Sequence, residues 1–145
     1  MKTEELRLLT THFHFKEVCN VFIPYNTPSS KNGRTWTGSH LIASKSTQKW
    51  RILTKGYWTG YKNEFLESLK DLQKPYKIQF TFVRGSKHKF DYVNPLQTVL
   101  DEMVKFGWLE DDNADEVKPY FGQYSYDKEK PGVWITVLKD LEHDL

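Results

Sequence analysis

Asp91 stands alone after a basic stretch, and about one helix length later comes a dense acidic cluster, Glu110, Asp111, Asp112, Asp115 and Glu116. Carboxylate oxygens are hard ligands of the kind that Mg2+ and Mn2+ take. A strand that ends at an aspartate, followed by a helix that delivers more acids from its far end, would bring such oxygens together. Arg84, Lys87 and Lys89, just upstream of Asp91, suit a substrate that carries phosphate. Acids for a divalent cation beside bases for a phosphate meet the needs of metal-assisted phosphodiester hydrolysis.

Each of these residues also has a plainer use. Asn94 precedes Pro95 and reads as a helix cap. Asp101 is four residues before Lys105, a spacing that pairs opposite charges on a helix surface. Asp111-Asp112-Asn113 has the composition of a turn or cap. His88 reads as a solvated side chain rather than a base. Asp91 is the hardest to explain away, because a carboxylate between Phe90 and Tyr92 needs a partner.

The elements that must position these groups follow from pattern. Residues 17–23 are β-branched and aromatic, closed by Pro24, and read as a strand. Residues 24–44 have loop composition and form a long basic loop. A helix is expected from Ser46, capped by Ser46 or Thr47, with Trp50, Leu53, Tyr57, Tyr61, Phe65 and Leu69 at helical spacing. Lys74-Pro75 stops it. Residues 77–84 alternate, with Ile78, Phe80 and Phe82 on one face of a strand. Asn94 as N-cap, Pro95 at the first helical position and Gln97 two residues on open a second helix. Its stripe is Leu96, Val99, Leu100, Met103 and Val104, and Gly107 ends it. The opposite, polar face carries Asn94, Gln97, Thr98, Asp101 and Lys105, so Asp91, Asn94 and Asp101 border one region. Val117–Tyr126 and Val133–Leu138 read as two final strands. The expected fold is α+β, a single domain over residues 1–145 with a mixed sheet in the order strand-helix-strand-helix-strand-strand and an N-terminal extension at 1–15.

Composition narrows the function classes. The net charge of +2 excludes a histone-like polycation, so the distribution of charge matters more than its sum. Between Pro24 and Asn63 there is no acid, while Lys31, Arg34, Lys45, Lys49, Arg51, Lys55 and Lys62 alternate with Trp36, Trp50, Tyr57, Trp58 and Tyr61. Cations interleaved with aromatic rings make a nucleic-acid footprint. Trp50 and Tyr57 themselves read as core. The single Cys19 has no cysteine to pair with and reads as a buried structural thiol. No apolar run approaches a membrane span, and the N-terminus lacks the pattern of a signal peptide, so a cytoplasmic protein is expected.

Residues 84–112 resemble the RusA family of Holliday junction resolvases. The likeness lies in the basic approach, Asp91, Asn94, a short amphipathic helix containing Asp101, Gly107-Trp108 and the Asp111-Asp112 pair. Pro28-Ser29-Ser30-Lys31-Asn32 and Ser44-Lys45 look like further family segments, so the resemblance spans roughly residues 20–140. It implies a RusA-like fold and a homodimeric endodeoxyribonuclease of phage or prophage type, dependent on Mg2+ (or Mn2+), that cuts four-way junctions and other branched DNA. It implies Asp91 and Asp112 as metal ligands and catalytic carboxylates, Asp111 as a third ligand, and Asn94 and Asp101 in support. Lys31, Arg34, Lys45, Arg84, Lys87 and Lys89 would contact phosphates. Two positions depart from the pattern: Val93 stands where the family has a second aspartate, and Gln97 where it has a lysine. The alternative those departures raise is a non-catalytic, structure-specific DNA-binding protein with a degraded nuclease site.

Overall fold

The computed structural model describes residues 14–29, 34–36 and 41–141. Strand β1 (Phe15–Pro24) leads to a two-stranded antiparallel unit, β2 (Arg34–Trp36) with β3 (Leu41–Ala43). Helix α1 (Lys45–Leu69), strand β4 (Tyr76–Arg84) and helix α2 (Val93–Lys105) follow, then β5 (Val117–Phe121), β6 (Ser125–Tyr126) and β7 (Gly132–Asp140). The long basic loop at 24–44 therefore contains β2 and β3.

The last strand lies inside the sheet. β7 pairs antiparallel with both β1 and β4, and β4 carries β5 and then β6, both parallel, along its other edge. The sheet is mixed and the architecture α+β, as expected. Alternation along β1, β4 and β7 puts Val21, Ile23, Ile78, Phe80, Phe82, Val133, Ile135 and Val137 on one fully buried face. The buried sides of α1 and α2 join this same core.

Helix α1 departs from the expected pattern at its start and on its buried face. Ser44 caps it, its Oγ accepting from the Thr47 N–H at 3.2 Å, so the helix begins before Ser46. The buried positions are Thr47, Trp50, Thr54, Trp58, Phe65 and Leu69, whereas Leu53 and Tyr57 are exposed. Two threonines hide in this stripe because their hydroxyls are satisfied internally. Thr54 Oγ1 donates to the Trp50 carbonyl at 2.9 Å and accepts from Trp58 Nε1 at 3.0 Å. A stripe read by apolar side chains alone steps past them and lands on the wrong neighbours.

Trp108 locks the end of α2 onto α1. Gly107 takes φ +80°, a conformation open to glycine, and the Gly107 and Trp108 N–H groups return to the Val104 and Met103 carbonyls at 3.1 and 2.8 Å. This Schellman ending turns Trp108 inward, where its Nε1 donates to the Trp58 carbonyl at 2.9 Å and its ring stacks on Phe65 at 4.6 Å. Cys19 is a buried free thiol, its pKa raised by burial. Among the described residues no helix is long and apolar enough to cross a membrane.

Candidate active site

Tyr92, the residue before α2, makes no side-chain capping bond, and the side chain that caps the helix start is Asp91, not Asn94. Helix α2 begins at Val93, so Pro95 lies inside its first turn. Asp91 Oδ1 accepts from the Asn94 N–H at 3.0 Å, and Asp91 Oδ2 accepts from Asn94 Nδ2 at 3.2 Å. Asn94 lies inside the first turn and cannot cap it, and the Asp91 carboxylate ahead of the helix also favours the positive end of its dipole.

Arg84, at the end of β4, acts on Asp91 through its charge. Its guanidinium donates through Nη1 to the Thr27 carbonyl at 3.1 Å and lies 4.6 Å from the centre of the Phe90 ring. Burial pushes it below its ordinary pKa, and the Asp91 carboxylate works against that shift. The same end of β4 is tied to the base of the basic loop a second time, where Gly85 N–H donates to Asn26 Oδ1 at 2.9 Å. Asn26 and Thr27, at the base of the loop, are thus held beside Arg84 and Gly85. Lys31 itself lies outside the described residues, and Arg34 opens β2. Lys87, His88 and Lys89 are exposed on the approach to Asp91, and Lys45 is exposed at the start of α1.

The second acidic element is a braced turn. Glu116 is buried, its Oε1 accepting from the Glu110 N–H at 3.1 Å and its Oε2 meeting Lys74 Nζ at 2.8 Å. Lys74 also reaches Glu110 at 3.2 Å, and the two acids hold its ammonium above the ordinary pKa, Glu116 first. Asn113 Oδ1 accepts from the Asp115 and Glu116 N–H groups at 2.9 and 3.1 Å. Asp111 spends its carboxylate inside the turn, on the Asp112 N–H at 2.7 Å and on Asn113 Nδ2 at 3.2 Å. Glu110 and Glu116 thus brace the turn, Asp115 is exposed, and Asp112 is the acid that reaches α2.

Asp112 meets the middle of α2. Gln97 Nε2 donates to Asp101 Oδ1 at 2.8 Å and to Asp112 Oδ2 at 2.9 Å, across a separation of 15 residues in the second case. Gln97 thus forms no capping box; its amide gathers a helix acid and a turn acid around one nitrogen. Val93, one turn before Gln97 on the same side of the helix, is 71% exposed. Nothing in the sequence announced the bridging role of Gln97 or the Lys74–Glu116 brace. The second needed the knowledge that the residue before Pro75 lies beside the acidic turn.

Of the site residues expected from sequence, the structure links Asp101 to Asp112 through Gln97 Nε2, and Asp91 to Asn94 about two turns nearer the helix start. Asp111 is turned back into its own loop. Two convergent carboxylates match what Mg2+ takes from a protein, which is one or two carboxylates with water and substrate phosphate completing the shell. Among the described residues, no group of three or more His, Cys, Asp or Glu side chains comes close enough together to hold a metal ion. Neither the models of known protein families nor the curated protein sequences contain a match to this chain.

Proposed function

We propose that this protein is a divalent-metal-dependent endodeoxyribonuclease acting on branched DNA, a RusA-like resolvase of four-way junctions. The observation that carries the reading is the pair of contacts from the Gln97 amide to Asp101 and Asp112. They bring hard oxygen ligands from two separate elements to one point beside a helix whose start bears Asp91 and is flanked by Arg84, Lys87 and Lys89.

In this reading Asp112 and Asp101 are the carboxylates gathered at one point, Asp91 at the helix start is the further ligand, and Asp111 keeps the turn in shape. When bound, Mg2+ or Mn2+ supplies a Lewis acid for the phosphate and lowers the pKa of the attacking water. Arg84 holds a phosphate near Asp91, since one of its donors is fixed on Thr27 and the charge remains at the site. Lys87, Lys89 and Lys45, with Lys31 and Arg34 on the basic loop, follow the flanking backbone. Symmetric cutting of a junction calls for two copies about a twofold axis, so the working unit is a homodimer. The reading places the protein in the cytoplasm, with phage-type recombination or repair as its setting.

A second reading has its own support. The amide of Gln97 satisfies Asp101 and Asp112 without any ion, and Val93 provides no carboxylate where the family has one. A protein so arranged would bind branched DNA without cutting it. Incubation of the chain with a synthetic four-way junction and a linear duplex of equal length, across a range of Mg2+ and Mn2+ concentrations, separates the two. Metal-dependent nicking confined to the junction supports the nuclease. Tight junction binding with no nicking at any metal concentration supports the binding protein. Affinity for DNA that does not fall steeply with added salt would refute both, because phosphate contacts demand that dependence.

A further inference from the structure

A cluster of aromatic rings lies beside Asp91. Starting from Phe82 in the core, Phe90 packs on it at 5.5 Å, Tyr92 and Tyr124 each pack on Phe90 at 5.2 Å, and Phe121 lies 4.6 Å from Tyr92. The series runs from the interior to the surface, where Phe121, Tyr124 and Tyr126 remain 40%, 45% and 45% exposed. Cations border it on two sides: Arg84 lies over Phe90 at 4.6 Å and Lys87 over Tyr126 at 5.1 Å.

A break in the sheet edge creates this surface. The sequence pattern reads residues 117–126 as one strand, but the structure divides them into β5 and β6. The N–H of Gly122 bonds to the Phe80 carbonyl at 3.1 Å, and a Cβ at Gly122 would lie 2.2 Å from Thr81 Oγ1. Only glycine lets the chain pass this close to β4. Just beyond the break, Gln123 and Tyr124 leave the ladder, and Tyr124 reaches Phe90 and Tyr92.

We infer that Phe121 and Tyr124, backed by Phe90 and Tyr92, form a stacking platform for unpaired nucleobases of DNA next to Asp91. Rings held by their neighbours accept a base face without first losing side-chain freedom. Cations at the margin of the rings take the phosphates between stacked bases, the pairing that single-strand-binding surfaces use. Stacked duplex offers no free base face to such a platform, whereas a branch point or a single strand does. This inference rests on the proposal that the chain binds branched DNA, and it names the part of that DNA the surface recognises.

The test uses the full chain without divalent metal, in chelator, so that binding is read apart from cleavage. The probes are a labelled oligothymidylate, a blunt duplex of the same length and a four-way junction. Wild-type protein is expected to bind the oligothymidylate. Tyr124→Ala and Phe121→Ala should each weaken that binding about 5- to 100-fold while duplex affinity stays within about twofold, and Tyr124→Phe should keep wild-type affinity. Both alanine variants lie at exposed positions, and their unfolding temperatures check that they are folded. Unchanged oligothymidylate affinity in both alanine variants overturns the platform, as does an equal loss on oligothymidylate and duplex. If those results come with intact junction binding by the wild type, only the platform falls. If the wild type binds none of the three DNAs, the proposed function falls with it.

Discussion

The start of α2 and the acidic turn after it hold their aspartates by different means. Asp91 is fixed by hydrogen bonds to Asn94 alone, three residues on, and any chain that forms this helix would place it in the same way. Asp112 gets no such local help. It is presented by a turn tied to Lys74 through Glu116 and Glu110, and it meets a glutamine in a different element. A local cap is self-sufficient but can place its acid nowhere except at the helix start. A braced turn can aim an acid at another element, and it depends on every tie that shapes it. Bringing two ligands from distant parts of a chain to one ion takes one anchor of the second kind at least.

Neutralising the two aspartates should produce the largest effects and shows whether the regions share one site. Asp91→Asn and Asp112→Asn should each lower metal-dependent junction cleavage by more than the roughly 10–100-fold that loss of a supporting partner brings. Junction binding in chelator should stay equal to wild type or tighten, because charge is removed and the basic surface is kept. Alanine variants separate the anchors: Asp91→Ala should cost about 1 kcal/mol of stability as a lost cap, and Asp112→Ala, at an exposed position, within about 0.5 kcal/mol. Cleavage retained by either asparagine variant would break the comparison, leaving one region without a role.

An intermediate effect is expected at Gln97, the tie between helix and turn. Gln97→Ala should lower the apparent Mg2+ affinity of cleavage by about 10–100-fold, as loss of an outer partner of a ligand does, with unchanged DNA affinity in chelator. A rise in metal affinity instead would mean that the amide competes for the ion's place, which favours the binding-protein reading.

The smallest effect concerns Glu102, next to Asp101 in sequence but turned inward. It is 1% exposed, its Oε1 lies 3.3 Å from Arg51 Nε, and its Oε2 has no partner among the described residues. Burial raises its pKa, Asp101 adds to the rise, and Lys105 and Arg51 oppose it. The folded protein therefore keeps this proton to higher pH than the unfolded chain does. Its contribution to stability is complete below the unfolded pKa of a glutamate and is lost as pH rises through the higher folded value. Glu102→Gln should flatten that decline in a series of thermal unfolding curves across the acidic range. An identical decline in wild type and variant would show that the buried charge is fully compensated by Arg51.

Several elements were legible because their signals are local. The alternation in residues 77–84, the glycine stop at Gly107, the buried thiol at Cys19 and the apolar stripe of α2 depend on backbone period and on side chains a few residues apart. The sequence is ambiguous where one local signal competes with another. Asn94 and Asp91 are both good caps, and the helix start at Val93 leaves that place to Asp91. Leu53 and Tyr57 suit a buried stripe as well as Thr54 does, until Trp58 Nε1 needs an acceptor in the interior. The single strand at 117–126 matched its composition, and its division follows from how closely Gly122 passes Thr81.

By itself the sequence determined the periodicities, the break points and the chemical inventory: acids after a helix, bases before it, aromatic rings among them. These follow from dihedral preferences and side-chain type, which act over a few residues. The tertiary structure decided which acid faces which partner. It set Asp112 against Gln97 and Asp101, turned Asp111 and Glu116 into braces, and carried Tyr124 to Phe90. Contacts between residues far apart in the chain exist only once β4 and α2 have packed into one body, since a side chain reaches only a few ångströms and the fold must supply the remaining distance.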